Sequence, residues 1–252
     1  MLLSALIYLL LGAVFGYLGG LFGIGGGLIA IPVLGVFFGY GEQVAQGTAL
    51  VMVVPNVMLG LWHYIRKVGM DARLALTLAI AAMPFTFVGA RVATVLPSAP
   101  LRLAFAVFIA AIAAQMAWRT FGPKGLHVRH PAPWPVAGII GAIGGAVSGF
   151  FSVGGAVLAV PAMSVFFGIS QVAAQGMGLA LVAPGSVISI LTYAAAHDVD
   201  WIPGVALAVG GAFAVPHGVN LAKRLPERVL RSLFIVLMLA SSTGLVLRSL
   251  PH

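Results

Sequence analysis

An all-α polytopic membrane protein of about ten transmembrane segments, arranged as two inverted five-segment repeats, is the fold class this sequence predicts. Three observations predict it. Of 252 residues, 61% are hydrophobic and 7% charged, whereas a soluble domain carries roughly 25% charged residues. The apolar stretches mostly reach the length of a bilayer crossing, about 20 residues of helix. The chain also repeats itself: displaced so that Gly141 falls on Gly12, residues 12–47 match residues 141–176 without a gap at about 16 of 36 positions, an internal duplication.

Taken in order, the apolar segments are 2–18, 27–39, 44–65, 72–96 and 100–119, then 134–148, 155–168, 172–196, 201–222 and 231–249. The first lacks a basic leader and a small-residue cleavage site followed by a soluble domain, and reads as a retained helix. The second and seventh are short, and each follows a glycine break. These breaks are Gly19-Gly20-Leu21-Phe22-Gly23-Ile24-Gly25-Gly26-Gly27 and its counterpart Ser148-Gly149-Phe150-Phe151-Ser152-Val153-Gly154-Gly155-Ala156. Each interior glycine costs a helix about 1 kcal/mol relative to alanine, so a smooth helix is not expected through either. Pro55 and Pro184 lie inside the third and eighth segments. The prolines and basic residues of 121–135 mark a cytoplasmic linker, dividing the chain into a first repeat, 1–120, and a second, 136–252. The same displacement pairs Asp71 with Asp200, Leu96-Pro97 with Leu225-Pro226 and Leu101-Arg102 with Leu230-Arg231.

Charge supplies the orientation. Arg66, Lys67 and Arg73 flank one loop, Arg119, Lys124 and Arg129 surround the linker, and Lys223, Arg224, Arg228 and Arg231 flank a third loop. The positive-inside rule places all three in the cytoplasm. The loop with Asp198 and Asp200 has no Lys or Arg and belongs outside, yet its repeat mate around Asp71 belongs inside. Equivalent loops on opposite sides mean inverted halves, an odd number of crossings in each, and both termini on the periplasmic side.

Several function classes fall away. There is no cysteine, so thiol chemistry and cysteine-ligated metals are excluded. No histidine spacing makes a metal site, and His127, His130 and His252 fall in loops or at the terminus. No cofactor is expected. An enzyme would need a nucleophile, a metal or an acid–base pair at the midplane, and none is seen. The net charge of +8 comes without a basic helix or stacking aromatics, so nucleic acid is not an expected partner. The expected partners are a small anionic substrate and the lipid bilayer, with homo-oligomerisation left open.

Inverted repeats bring paired helix breaks together near the midplane, the usual place of a transporter site. Each break here precedes a short helix, whose first turn exposes N–H groups and about half a positive charge. Two such starts facing each other form an anion site without a buried Lys or Arg. Gly23, Gly25, Gly26 and Gly27, with Ser152, Gly154 and Gly155, are therefore candidate substrate-binding residues. Gly12, Gly16, Gly141 and Gly145 read instead as small-residue packing faces. Gln46, Thr48 and Gln175 are polar residues in apolar helices and candidates to hydrogen-bond the ligand; interhelical hydrogen bonding is the equal alternative. Asn56 and Ser186 follow further along the same helices. Arg91, His63 and His217 are candidates for gating or proton coupling, with snorkelling of Arg91 to the interface the stronger reading. All five carboxylates lie near segment ends, so no acidic proton relay is expected.

The run Gly-Gly-Leu-Phe-Gly-Ile-Gly-Gly-Gly with Pro32, Ala45-Gln46-Gly47-Thr48 and His63, repeated in degenerate form, resembles the TauE/SafE sulfite exporter family over almost the whole chain. The resemblance implies export of sulfur-containing anions, such as sulfite, sulfoacetate or other organosulfonates, across the bacterial inner membrane. An anion channel and a carrier of another small anion such as a carboxylate are the alternatives. Ser152, Ala156 and Met177 depart from the family pattern, which implies a narrower or less polar second-half site.

Overall fold

The computed structural model describes residues 2–68, 70–121, 133–153 and 155–249. Gly69, Gly154, most of the expected linker and the last residues, His252 among them, lie outside the described residues. Those described form ten helices and no strand: α1 (Leu2–Phe22), α2 (Gly27–Phe38), α3 (Glu42–Val68), α4 (Ala72–Val95), α5 (Ser98–Phe121), α6 (Pro135–Phe151), α7 (Ala156–Phe166), α8 (Gln171–Ala195), α9 (Trp201–Ala222) and α10 (Glu227–Ser249).

Seven of these are long and apolar enough to cross a membrane; α2, α6 and α7 are shorter. The sequence marks only α2 and α7 as short, but α6 joins them, because proline and tryptophan delimit its start and Ser152 ends it. The first helix runs further than expected. It continues through Gly19 and Gly20 to Phe22, because close packing outweighs the glycine penalty there: a Cβ on Gly20 would overlap the Val215 carbonyl.

That contact belongs to a stripe. Gly12 lies on Leu207, Gly16 on Gly211 and Gly20 on Val215, which seats α1 along α9. The same register recurs in the second half, where Gly141 lies on Leu78, Gly145 on Ala82 and Gly149 on Thr86, seating α6 along α4. In lipid, where apolar side chains gain little from each other's company, such close backbone approach is a main source of helix association. The packing reading of these glycines is thus what the structure shows. The other pairs also exchange under the repeat: α3 on α9 and α8 on α4, α2 on α3 and α7 on α8, while α3 meets α8 and α5 meets α10.

The two helices that carry the candidate glutamines are central. In α3 and α8, 67% of the apolar window is buried, against 33–44% in the other five spanning helices. Large apolar side chains such as Ile202, Val205 and Phe213 on α9 and Phe87 and Val88 on α4 point outward, as suits a lipid-facing surface.

Candidate functional site

α1 ends where the chain must turn back inside an apolar interior. Gly23 takes φ +69°, with Gly25 and Gly26 at +72° and +94°, and α2 begins at Gly27. The second break turns at its start without a glycine: Ser152, the counterpart of Gly23, takes φ +55°, and its N–H donates to the Ser148 carbonyl at 2.9 Å, whereas Gly155, the counterpart of Gly26, is right-handed at φ −58°. A non-glycine residue in this left-handed region costs of order 1 kcal/mol or more.

The two breaks meet. A Cβ on Gly27 would stand 3.2 Å from the Ser152 carbonyl oxygen and 3.6 Å from Val153 Cα. Neither α2 nor α7 has a side-chain cap at its start. The stretch Gly23–Gly27, with Ser152, Val153 and Gly155, is wholly buried, so both helix starts face protein interior. Gly155 packs on the Gly144 backbone; Gly154 is outside the described residues. From α3, Asn56 reaches the first break, its Nδ2 donating to the Gly25 carbonyl at 3.4 Å, while its buried Oδ1 has no hydrogen-bond partner.

The glutamines do not join each other at this meeting point. Gln46 sits near the start of α3, where its Oε1 accepts from the Tyr193 hydroxyl at 2.5 Å and its Nε2 donates to Glu42 Oε1 at 3.2 Å. Gln175 sits near the start of α8, where its Oε1 accepts from the Tyr64 hydroxyl at 2.8 Å and its Nε2 donates to the Leu21 carbonyl at 3.3 Å. Tyr64 stands about five turns beyond Gln46, roughly 27 Å of α3. Two clusters therefore flank the breaks, one at the Asp200 end and one at the Met70 end. Gly23 belongs to the second, since a Cβ there would stand 2.7 Å from Gln175 Cβ. Ser152 belongs to the first: its Oγ is buried, faces the Tyr193 hydroxyl and makes no hydrogen bond of standard geometry.

Each cluster is covered by a loop of the other repeat. At the Asp200 end, Gly47 lies under the Asp198 backbone, and Thr48 Oγ1 accepts from the Asp200 N–H at 3.0 Å. Thr48 thus anchors the loop. The Asp200 carboxylate accepts from the Tyr40 hydroxyl at 2.8 Å; burial first, and that bond second, push the Tyr40 hydroxyl above its usual range. Burial also pushes Asp198 up, partly offset by His197. At the opposite end Met70 lies over Gly176, where a Cβ would stand 2.6 Å from its Sδ. Asp71, the counterpart of Asp200, caps α4 instead, accepting from the Arg73 and Leu74 N–H groups.

The remaining candidates turn to their own helices or to an open cleft. His63 and His217 each place Nδ1 on a carbonyl of their own helix, Leu59 at 2.8 Å and Phe213 at 3.1 Å, and His217 is exposed. Arg91 lines an open cleft of about 260 Å³ between α4 and α8 with Phe87, Leu191 and Thr192.

Three functional-looking residues escaped the sequence reading. Tyr64 and Tyr193 are counterparts under the same displacement that pairs the glutamines, and that identity was the available signal. Glu42 is the third. It lies near a segment end in the sequence, yet it is fully buried.

A family profile described as "Sulfite exporter TauE/SafE" matches residues 8–245. A "Probable membrane transporter protein" of Xylella fastidiosa (strain Temecula1) is 27% identical over 243 residues, 94% of this chain and 93% of the relative. One of Methanocaldococcus jannaschii is 27% identical over 237 residues, 86% and 84% of the two chains. With its duplicated breaks inside the span that the profile matches, the chain belongs to the sulfite exporter TauE/SafE family of membrane proteins.

Proposed function

We propose that the protein is a membrane carrier that exports a small sulfur-containing anion, sulfite or an organosulfonate, by alternating access between its inverted repeats. The observation that carries this reading is the meeting of the two breaks at Gly27, Ser152 and Val153, with two uncapped helix starts buried around it. Helix starts supply N–H groups and partial positive charge to an anion. The main-chain N–H groups at Gly25–Gly27 and at Gly155 would hold the substrate's oxygens. Gln46, with Ser152 beside it, would reach the anion from one end and Gln175 from the other, each as it leaves its tyrosine. The basic loops put the Met70 end in the cytoplasm and the Asp200 end, with both termini, outside. Burial of both breaks at once suits a carrier between its open states better than a standing channel.

The test is ligand-induced thermal stabilisation of the purified protein by sulfite, thiosulfate, sulfoacetate, taurine and sulfate. At a hundredfold excess over Kd, binding stabilises by about 2.7 kcal/mol, a rise of roughly 5–11 °C for a chain of this size. Gln46→Ala removes a hydrogen bond to a charged ligand, about 1.5–3 kcal/mol, so the shift should demand ten- to a hundredfold more ligand while the unliganded melt stays cooperative. A folded wild type that none of these anions stabilises, but a carboxylate does, would reject the substrate class.

A further inference from the structure

We propose that Glu42 binds and releases a proton during the transport cycle and so couples the anion to the pH gradient. The proposal rests on the carrier reading above. Among the described residues Glu42 is the only fully buried carboxylate, and a buried ionisable residue in a membrane protein points to a functional role.

The duplication makes the case specific. The two clusters share their glutamine and their tyrosine, Gln46 with Tyr193 and Gln175 with Tyr64, but Glu42 is replaced by Gln171. The fold accepts a neutral amide at this position, so packing alone does not call for an acid. Ser152, facing Tyr193, is likewise replaced by Gly23. The carboxyl and the hydroxyl thus occur together at one end only.

The hydrogen bonds show what a proton would do. Ionised Glu42 accepts from Gln46 Nε2, which turns Gln46 Oε1 toward the Tyr193 hydroxyl. A proton on Glu42 takes the charge out of that bond and leaves a neutral one, roughly half as strong. Gln46 is then held less firmly, and the Ser152 Oγ beside Tyr193, buried without a standard hydrogen bond, offers the tyrosine hydroxyl another acceptor. Protonation thus weakens the link between α3 and α8 that closes the Asp200 end, and deprotonation restores it. Tyr193 on α8 faces this group; the other titratable or charged groups at this end are His197, Asp198 and Asp200 on the following loop and Tyr40 with Tyr8 beside it, and the duplication gives Arg102 on α5 the place of Arg231, whose Nε reaches Gln171 at 3.4 Å.

The test uses the full-length protein and Glu42→Gln, which installs the residue found at the counterpart position. With five carboxyl side chains in the chain, infrared titration can resolve the C=O stretch of a single buried protonated carboxyl. Wild type should show such a band, lost as the pH is raised, and Glu42→Gln should lack it. In proteoliposomes, Glu42→Gln should keep labelled-sulfite counterflow and lose sulfite accumulation driven by a pH gradient; Ser152→Gly, which restores the Gly23 backbone type, should weaken the pH response without loss of fold. An unchanged band in Glu42→Gln, or pH-driven accumulation at the wild-type level, would overturn the proposal. Absence of sulfite counterflow in wild type would instead remove the substrate reading, and the infrared titration would still decide the role of Glu42.

Discussion

Gly149→Ala should lower the melting midpoint of the purified protein by roughly 6–12 °C, and its counterpart Gly20→Ala should do the same. Each added methyl would overlap a backbone carbonyl, Thr86 in one case and Val215 in the other. A backbone obstacle cannot swing away as a flexible side chain does, so the paired helices must separate. Overpacking costs about 1–3 kcal/mol, the upper figure suiting a backbone obstacle, and in a chain of this length each kcal/mol moves the midpoint by about 2–4 °C. The contrast is built into α6. Gly138 has open space where a Cβ would go, and Gly138→Ala should raise the midpoint slightly, since alanine is the better helix former by about 1 kcal/mol. A midpoint for Gly149→Ala equal to that of Gly138→Ala would mean that close packing of α6 on α4 contributes little to stability.

Tyr64→Phe and Tyr193→Phe should bias the protein toward opposite open states. Each removes one hydroxyl and leaves a buried glutamine oxygen short of a donor, at a cost of about 1–3 kcal/mol. That corresponds to a shift of about five- to 150-fold in the population of whichever state frees the glutamine. Tyr64 also donates to the Gly20 carbonyl at 3.3 Å, so its loss loosens the α1 break as well as α8. Because the chain has no cysteine, a single cysteine placed at Ser186, midway along α8, can be labelled without background. In sealed vesicles of known orientation, Tyr193→Phe should speed labelling by a membrane-impermeant maleimide from the Asp200 side. Tyr64→Phe should speed it from the Met70 side. Equal labelling from both sides in both variants would show that these links hold the helices together but do not gate access.

Much of the architecture could be read from residue order because it follows from two long-range regularities. Hydrophobic run length locates the helices to within a few residues, and the displacement that sets Gly12 on Gly141 finds the counterpart contacts, down to Gly16 on Gly211 and Gly145 on Ala82. The readings that changed depend on what covers a residue in three dimensions. Glu42 looks solvated because it begins a helix, but the α8–α9 loop folds over Gly47 and Thr48 beside it. Gln46 and Gln175 look like two arms of one site because they share a motif, but antiparallel central helices carry the same motif to opposite ends. Tyr64 and Tyr193 were hidden by their ordinariness: an aromatic residue near the end of an apolar helix has an obvious interfacial reading, and only the partner across the repeat reveals the hydroxyl's use. His63 is a rare titratable group whose Nδ1 meets the Leu59 carbonyl of its own helix, a local contact that residue order does not announce.

The reciprocal pairing of the halves has a consequence for biosynthesis. The main partner of α1 is α9, and that of α4 is α6; the donor for Gln46 lies on α8 and that for Tyr64's acceptor partner lies across the same divide. When the ribosome has delivered only α1 to α5, the glycine faces are bare and Gln46 has no tyrosine. The nascent first half therefore waits in the membrane as an incompletely satisfied bundle until α9 emerges. That interval is when insertion chaperones and membrane proteases can recognise the chain. A truncation before α9 should be degraded rapidly, and separately expressed halves should protect each other when made together.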